Sequence, residues 1–83
     1  MNSDTVKVKL LTEWKYEEGC LPTRVIMWQK NDSFVTHLEV KKETGEKYFI
    51  WGHYDMPMPG AVKDFGERCQ SLGVTELECV CDG

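Results

Sequence analysis

Between Phe34 and Leu72 the hydrophobic period of the chain switches from two to a mixture of three and four, and the switch falls on a Pro-rich corner. Phe34, Thr36, Leu38 and Val40 alternate with Val35, His37, Glu39 and Lys41, the pattern of a strand with two unlike faces. Glu43-Thr44-Gly45-Glu46 is turn chemistry, and Gly45 can take the positive φ of a tight return. Lys47 to Tyr54 then reads as another strand. Its Tyr48-Phe49-Ile50-Trp51 run is apolar on both faces, which predicts a central or doubly covered strand. Pro57 and Pro59 cannot donate to a ladder, and Pro59 suits the first position of a helix, where no N–H is needed. Beyond it Val62, Phe65, Cys69 and Leu72 recur at helical spacing among Lys63, Asp64, Glu67, Arg68 and Gln70, with Gly73 as the C-cap. Strand, turn, strand, corner and amphipathic helix bury their apolar faces together when the helix is laid on the sheet.

The flanks extend the same plan. Val6, Val8 and Leu10 alternate with Lys7 and Lys9, predicting a strand from Thr5 to Glu13. Arg24 to Gln29 is β-branched and aromatic, and Asn31-Asp32-Ser33 joins it as a hairpin to the Phe34 strand. Leu77, Cys79 and Cys81 share one face of a short last strand, opposite Glu76, Glu78 and Val80. The expectation is an α+β fold of order β-β-β-β-α-β: a mainly antiparallel sheet of four or five strands with one helix on a face. The last strand lies either parallel to the fourth or antiparallel at an edge. With 83 residues there is one core to build, so residues 1–83 form a single domain.

The formal charge of −4 is unevenly spread. Residues 1–42 hold seven basic and six acidic side chains, whereas residues 43–83 hold three and eight. That balance argues against direct nucleic-acid binding, which needs clustered Lys and Arg, and allows a protein partner with a basic surface; a solvated acidic face that aids solubility would show the same balance. Neither a signal peptide nor a membrane-length apolar run is visible, so a cytoplasmic location is expected.

Four cysteines in such a compartment are expected to be thiols rather than disulfides. Cys79-Val80-Cys81 is not the usual paired zinc spacing, and a regular strand sets its sulfurs a full pleat repeat apart. Cys69, Cys79 and Cys81 are therefore expected to be small apolar filling between helix and sheet, and no metal or other cofactor is expected. The alternative is a small zinc-binding or thiol-containing domain. His37 reads as an exposed strand residue and His53 as a strand-end residue bonded to backbone. No nucleophile elbow, phosphate-cradling loop or metalloprotease motif accompanies them, so no catalytic residue is assigned and no enzyme is expected.

Trp14, Tyr16, Trp28, Tyr48, Trp51 and Tyr54 are too many aromatics for one face of a small sheet. Some must reach the second face or the rim, where large rings and methionines favour protein contact. Trp28, Trp51 and Tyr54 are the expected anchors, on strands read as neighbours. Asp55, Asp64 and Glu67 are the expected acidic companions that steer approach. Asp55-Met56-Pro57-Met58-Pro59-Gly60 is a further contact candidate.

Phe34-Val35-Thr36-His37, Trp51-Gly52-His53-Tyr54 and Ala61-Val62-Lys63-Asp64-Phe65-Gly66-Glu67-Arg68 resemble a loose pattern in small uncharacterised proteins of bacteria and their phages. In size and style the chain is similar to phage-encoded inhibitors of bacterial defence, such as anti-CRISPR proteins. The resemblance spans Phe34 to Arg68 and carries no functional residues across. It implies a non-enzymatic protein-binding module, in its sharper form an inhibitor of a host defence complex. A housekeeping interaction module would show the same features.

Overall fold

A computed structural model describes residues 6–30 and 32–81. The elements are β1 (Val6–Thr12), β2 (Thr23–Lys30), β3 (Ser33–Lys41), β4 (Lys47–Met56), α1 (Met58–Leu72) and β5 (Leu77–Cys81). All five strands pair antiparallel in the order β4-β3-β2-β1-β5, and the helix packs on β2 and β3. The α+β plan is the expected one, and β5 takes the antiparallel edge position. Because α1 crosses the two central strands, its C-terminal end delivers the chain to the β1 side. There Glu13 Oε1 accepts the backbone N–H groups of Thr75 (2.9 Å) and Glu76 (2.7 Å). Those two donors hold the Glu13 carboxyl below its ordinary pKa.

The turns follow the sequence. Gly45 has φ 93° and closes the β3–β4 return. Asn31 lies outside the described residues. Gly73 has φ 84° and donates its N–H to the Cys69 carbonyl, ending α1 with a left-handed cap. The helix starts one residue earlier than Pro59 predicts: Pro57 is the N-cap, and Met58 and Pro59 fill the first turn.

Register divides the sheet into two faces. Val25, Met27 and Leu38 point toward α1 and meet Ala61, Phe65 and Val74, with Leu10, Phe34, Ile50, Met56, Cys69 and Leu72 packed around them. The helical stripe therefore runs through Ala61 rather than Val62, which is exposed. Phe65 is the only large helix side chain that is buried. Cys69 fills a gap beside the core, as expected. Cys79 is exposed and is not filling, because β5 lies at the sheet edge beyond the cover of α1. The side chain of Cys81 lies outside the described residues.

The other face has no helix, yet Ile26, Val35, His37 and Glu39 are buried there. Side chains of the sheet itself cover them. His37 is 2% exposed, stacked flat on Phe49 at 4.2 Å and met edge-on by Tyr54 at 6.1 Å. The expectation of an exposed His37 fails for this reason. Arg24 pairs with Glu39 at 2.7 Å, and Arg24 and Lys41 both lie over the Trp14 ring.

Strand β4 departs most from expectation. It is an edge strand, not a central one, and most of it is exposed. Its pairing with β3 slips twice: Leu38 opposes Ile50 but Thr36 opposes His53, and Phe34 opposes Met56. Each slip is a bulge carrying one residue with left-handed backbone, Trp51 at φ 53° and Asp55 at φ 57°. A doubly apolar run misleads because an edge strand with bulges sends rings to both sides without being covered on either. Tyr54 folds back over Gly52, where a Cβ would fall 2.6 Å from its Oη and 2.7 Å from Cε2. Gly52→Ala should swing the Tyr54 ring off His37. The expected cost is about 1 kcal/mol, the worth of one aromatic pair, read as a lowered urea midpoint and a lost ring-current shift on His37.

Candidate functional site

The bulge between Ile50 and His53 places Trp51 and His53 against the exposed side of α1. Along that side Asp64 is three and four residues from Glu67 and Arg68, and Ser71 is four and three beyond them, so the four share a face. With Trp51 and His53 they line an open depression of about 410 Å3.

Asp64 is its hub. Oδ2 accepts the hydroxyl proton of Thr36 on β3 and the Nε–H of Arg68 at 2.8 Å, while Oδ1 lies 3.0 Å from His53 Nδ1. Burial pushes the Asp64 carboxyl pKa up, but the hydrogen bonds from Thr36, Arg68 and His53 together outweigh it and hold it below its ordinary value. Arg68 Nη2 donates to the Trp51 carbonyl and also lies 3.0 Å from His53 Nδ1. A ring nitrogen cannot donate to the carboxylate and accept from the guanidinium at once. Since Arg68 already has the Trp51 carbonyl as acceptor, the proton belongs on Nδ1, shared with Asp64, leaving the lone pair on Nε2.

This network clamps β4 to α1. Thr36, fully buried, anchors it to the sheet, and Arg68 grips the peptide that bears the strained Trp51. Trp51 itself is 73% exposed. A left-handed φ at a bulky residue costs of order 1 kcal/mol, so the surrounding bonds hold a large ring in solvent against its backbone preference.

Five of the six sequence-derived site residues fall into two groups. Trp51, Asp64 and Glu67 line the same depression. Trp28 and Tyr54 lie on the helix-free face, where Trp28 Nε1–H donates to His37 Nε2 at 2.7 Å. Trp28 and Trp51 are not on neighbouring strands, since β3 separates β2 from β4. Asp55 is exposed at the second bulge. Asp64 is occupied by its three internal partners, so it positions the site rather than meeting a partner. His53 is bonded to a side-chain carboxylate, not to backbone, and joins the site with Arg68 and Ser71. The Asp64-x-x-x-Arg68 spacing was visible in sequence, but its link to His53 passes through a bulge that alternation does not show.

An imidazole oriented by a carboxylate has the form of a general base. Ser71 on α1 is the one hydroxyl among the residues lining the depression. Among the described residues, no group of three His, Cys, Asp or Glu side chains is placed to hold a metal ion. No described helix is long and apolar enough to cross a membrane. Neither family models, curated proteins nor solved structures give a match to this chain.

Proposed function

We propose that this chain is a non-enzymatic protein-binding module whose contact surface is the β4 edge, centred on Trp51. The observation that carries this reading is the combination at Trp51 of a left-handed backbone and 73% exposure. Strain that solvent-facing packing does not offset points to use by a partner. An indole beside a depression is a favoured hot-spot anchor. Exposed Glu67 lines the same depression, exposed Asp55 follows four residues along β4, and both favour a partner with a basic surface. The sharper form, an inhibitor that covers a basic working surface of a host defence complex, is supported by size, acidity and the resemblance of the Phe34–Arg68 stretch.

Trp51→Gly separates binding from folding. Relief of the left-handed strain offsets the extra unfolded-state entropy of glycine, so stability should stay within about 0.5 kcal/mol of the parent. Affinity should fall at least about tenfold, the mark of a lost tryptophan anchor. The test is capture from bacterial lysates, with and without defence machinery, by the parent chain and the variant in parallel. A stoichiometric protein retained by the parent and lost by Trp51→Gly supports the proposal. Absence of any such protein, or equal retention by both chains, overturns it.

A further inference from the structure

Strand pairing sorts the charges in a way that the linear sequence conceals. On the helix-free face Lys9 opposes Trp28, Arg24 opposes Glu39 and Lys41 opposes Lys47. Directly opposed residues share a face. The described ionic side chains there are thus Lys9, Arg24, Lys41 and Lys47 against Glu39 and Glu78, in a chain whose formal charge is −4. Glu39 is buried and engaged by Arg24 at 2.7 Å, so the two charges cancel and Lys9, Lys41 and Lys47 carry the positive charge of the face. The Lys41–Lys47 pair is costly in the free protein, because like charges directly across a ladder repel. A polyanion lying along the face would relieve it.

The same face is aromatic. Phe49 is 53% and Tyr54 62% exposed, and Trp28, His37 and Phe49 form a continuous row of rings across β2, β3 and β4. Lys9, Leu11, Arg24, Ile26, Trp28 and Phe49 enclose most of a cleft of about 250 Å3, with Glu39 completing it. That is smaller than the pockets of about 300–1,000 Å3 that take drug-sized ligands, and its walls are flat rings rimmed by cations.

We propose that the helix-free face of the sheet, with Trp28 and Phe49 as stacking surfaces and Lys9, Lys41 and Lys47 as phosphate contacts, binds single-stranded nucleic acid. Rings on an open sheet interleaved with cations suit unpaired bases, whose faces are free to stack while the backbone tracks the lysines. A duplex hides its base faces and offers this surface only phosphates. Chain-wide acidity argued against nucleic acid, but acids lie on other surfaces, among them Asp64 and Glu67 on α1. This face is separate from the Trp51 depression, so either proposal stands or falls alone.

The test is fluorescence anisotropy of the full chain with a labelled oligothymidylate of about 20 nucleotides, beside an abasic strand of equal length and charge. Binding in the micromolar range is expected at about 50 mM salt, at least about tenfold tighter for the strand that carries bases. With three lysines engaged, the log–log salt slope should be near −2, from about −0.7 per phosphate contact. Lys41→Gln should flatten that slope by about 0.7 and weaken binding about threefold. It removes one of two repelling lysines, which offsets the lost contact of Lys41 with the Trp14 ring, so the fold should not suffer. Phe49→Ala should weaken binding about tenfold through lost stacking. Lys63→Gln removes the same charge from the exposed side of α1 and should leave affinity within about twofold. Equal affinity for the abasic strand, equal affinity for an acidic polyglutamate peptide, or equal loss in Lys41→Gln and Lys63→Gln would each overturn the proposal. So would an absence of binding at low salt.

Discussion

Phe65→Ala is expected to cost about 4 kcal/mol, the usual cost of deleting a buried phenyl ring. A domain of this size holds roughly 5–10 kcal/mol in all. Phe65 is the one large side chain that α1 buries, and it enters the cluster of Val25, Met27, Leu38 and Val74 over the two central strands. Ala61 brings the helix close but contributes little area. With the ring gone, the loss should appear as a fall of about 3 M in the urea midpoint and a weakened near-ultraviolet signal from the tryptophans. Two controls locate the effect. Phe65→Leu keeps most of the volume and should cost about 1.5 kcal/mol or less. Val62→Ala lies on the exposed side and should stay within about 0.5 kcal/mol of the parent. If Val62→Ala proved the more damaging change, the helix would be docked on the stripe read from sequence instead.

That contrast shows where sequence reading worked and where it stopped. Strand alternation from Phe34 to Lys41 correctly divided Thr36 and Leu38 from His37 and Glu39, because period two is a property of the backbone itself. Gly45 and Gly73 were legible because each supplies a left-handed turn that other residues resist. The helix stripe was off by one position, since Ala61 is as buried as any residue yet carries almost no hydrophobic signal. Strand order was not legible. Tyr48-Phe49-Ile50-Trp51 looks like the centre of a sheet, and only pairing reveals an edge with two bulges. His37 was misjudged for a related reason. Its cover comes from Phe49 on the next strand and from Tyr54, which reaches it by folding over Gly52. The candidate site was half legible. Trp51, Asp64 and Glu67 were singled out by residue type, whereas His53 and Arg68 become partners only through the register slip between Ile50 and His53.

Asp64→Ala should be the second most damaging substitution, at about 3 kcal/mol, because it strands a buried hydroxyl and a largely buried guanidinium together. Thr36 is fully buried, and the Arg68 and Asp64 side chains are 12% and 20% exposed, so solvent screens the network only weakly. Asp64→Asn keeps one acceptor and the shape, and should lose about half as much. The pH profile identifies the charge. Asp64 titrates lower in the folded chain than in the unfolded one, so its stabilisation is complete above the ordinary carboxyl value of 3.8 and is lost as pH falls through the folded value. His37 acts in a separate window. Burial, and then the charge of Arg68, outweigh Glu39 and hold its pKa below 6.5. Protonation would also turn its Nε2 from an acceptor of the Trp28 N–H into a donor. Its contribution is therefore complete above about pH 6.5 and declines on acidification below that value. Urea midpoints measured across the acid range should fall in two stages for the parent chain. Asp64→Asn should keep the His37 stage and flatten the more acidic one, to which Glu13 also contributes. His37→Phe should do the reverse. An Asp64→Asn profile parallel to the parent's at every pH would mean that the carboxylate does not hold β4 to α1, and that Trp51 owes its posture to something else.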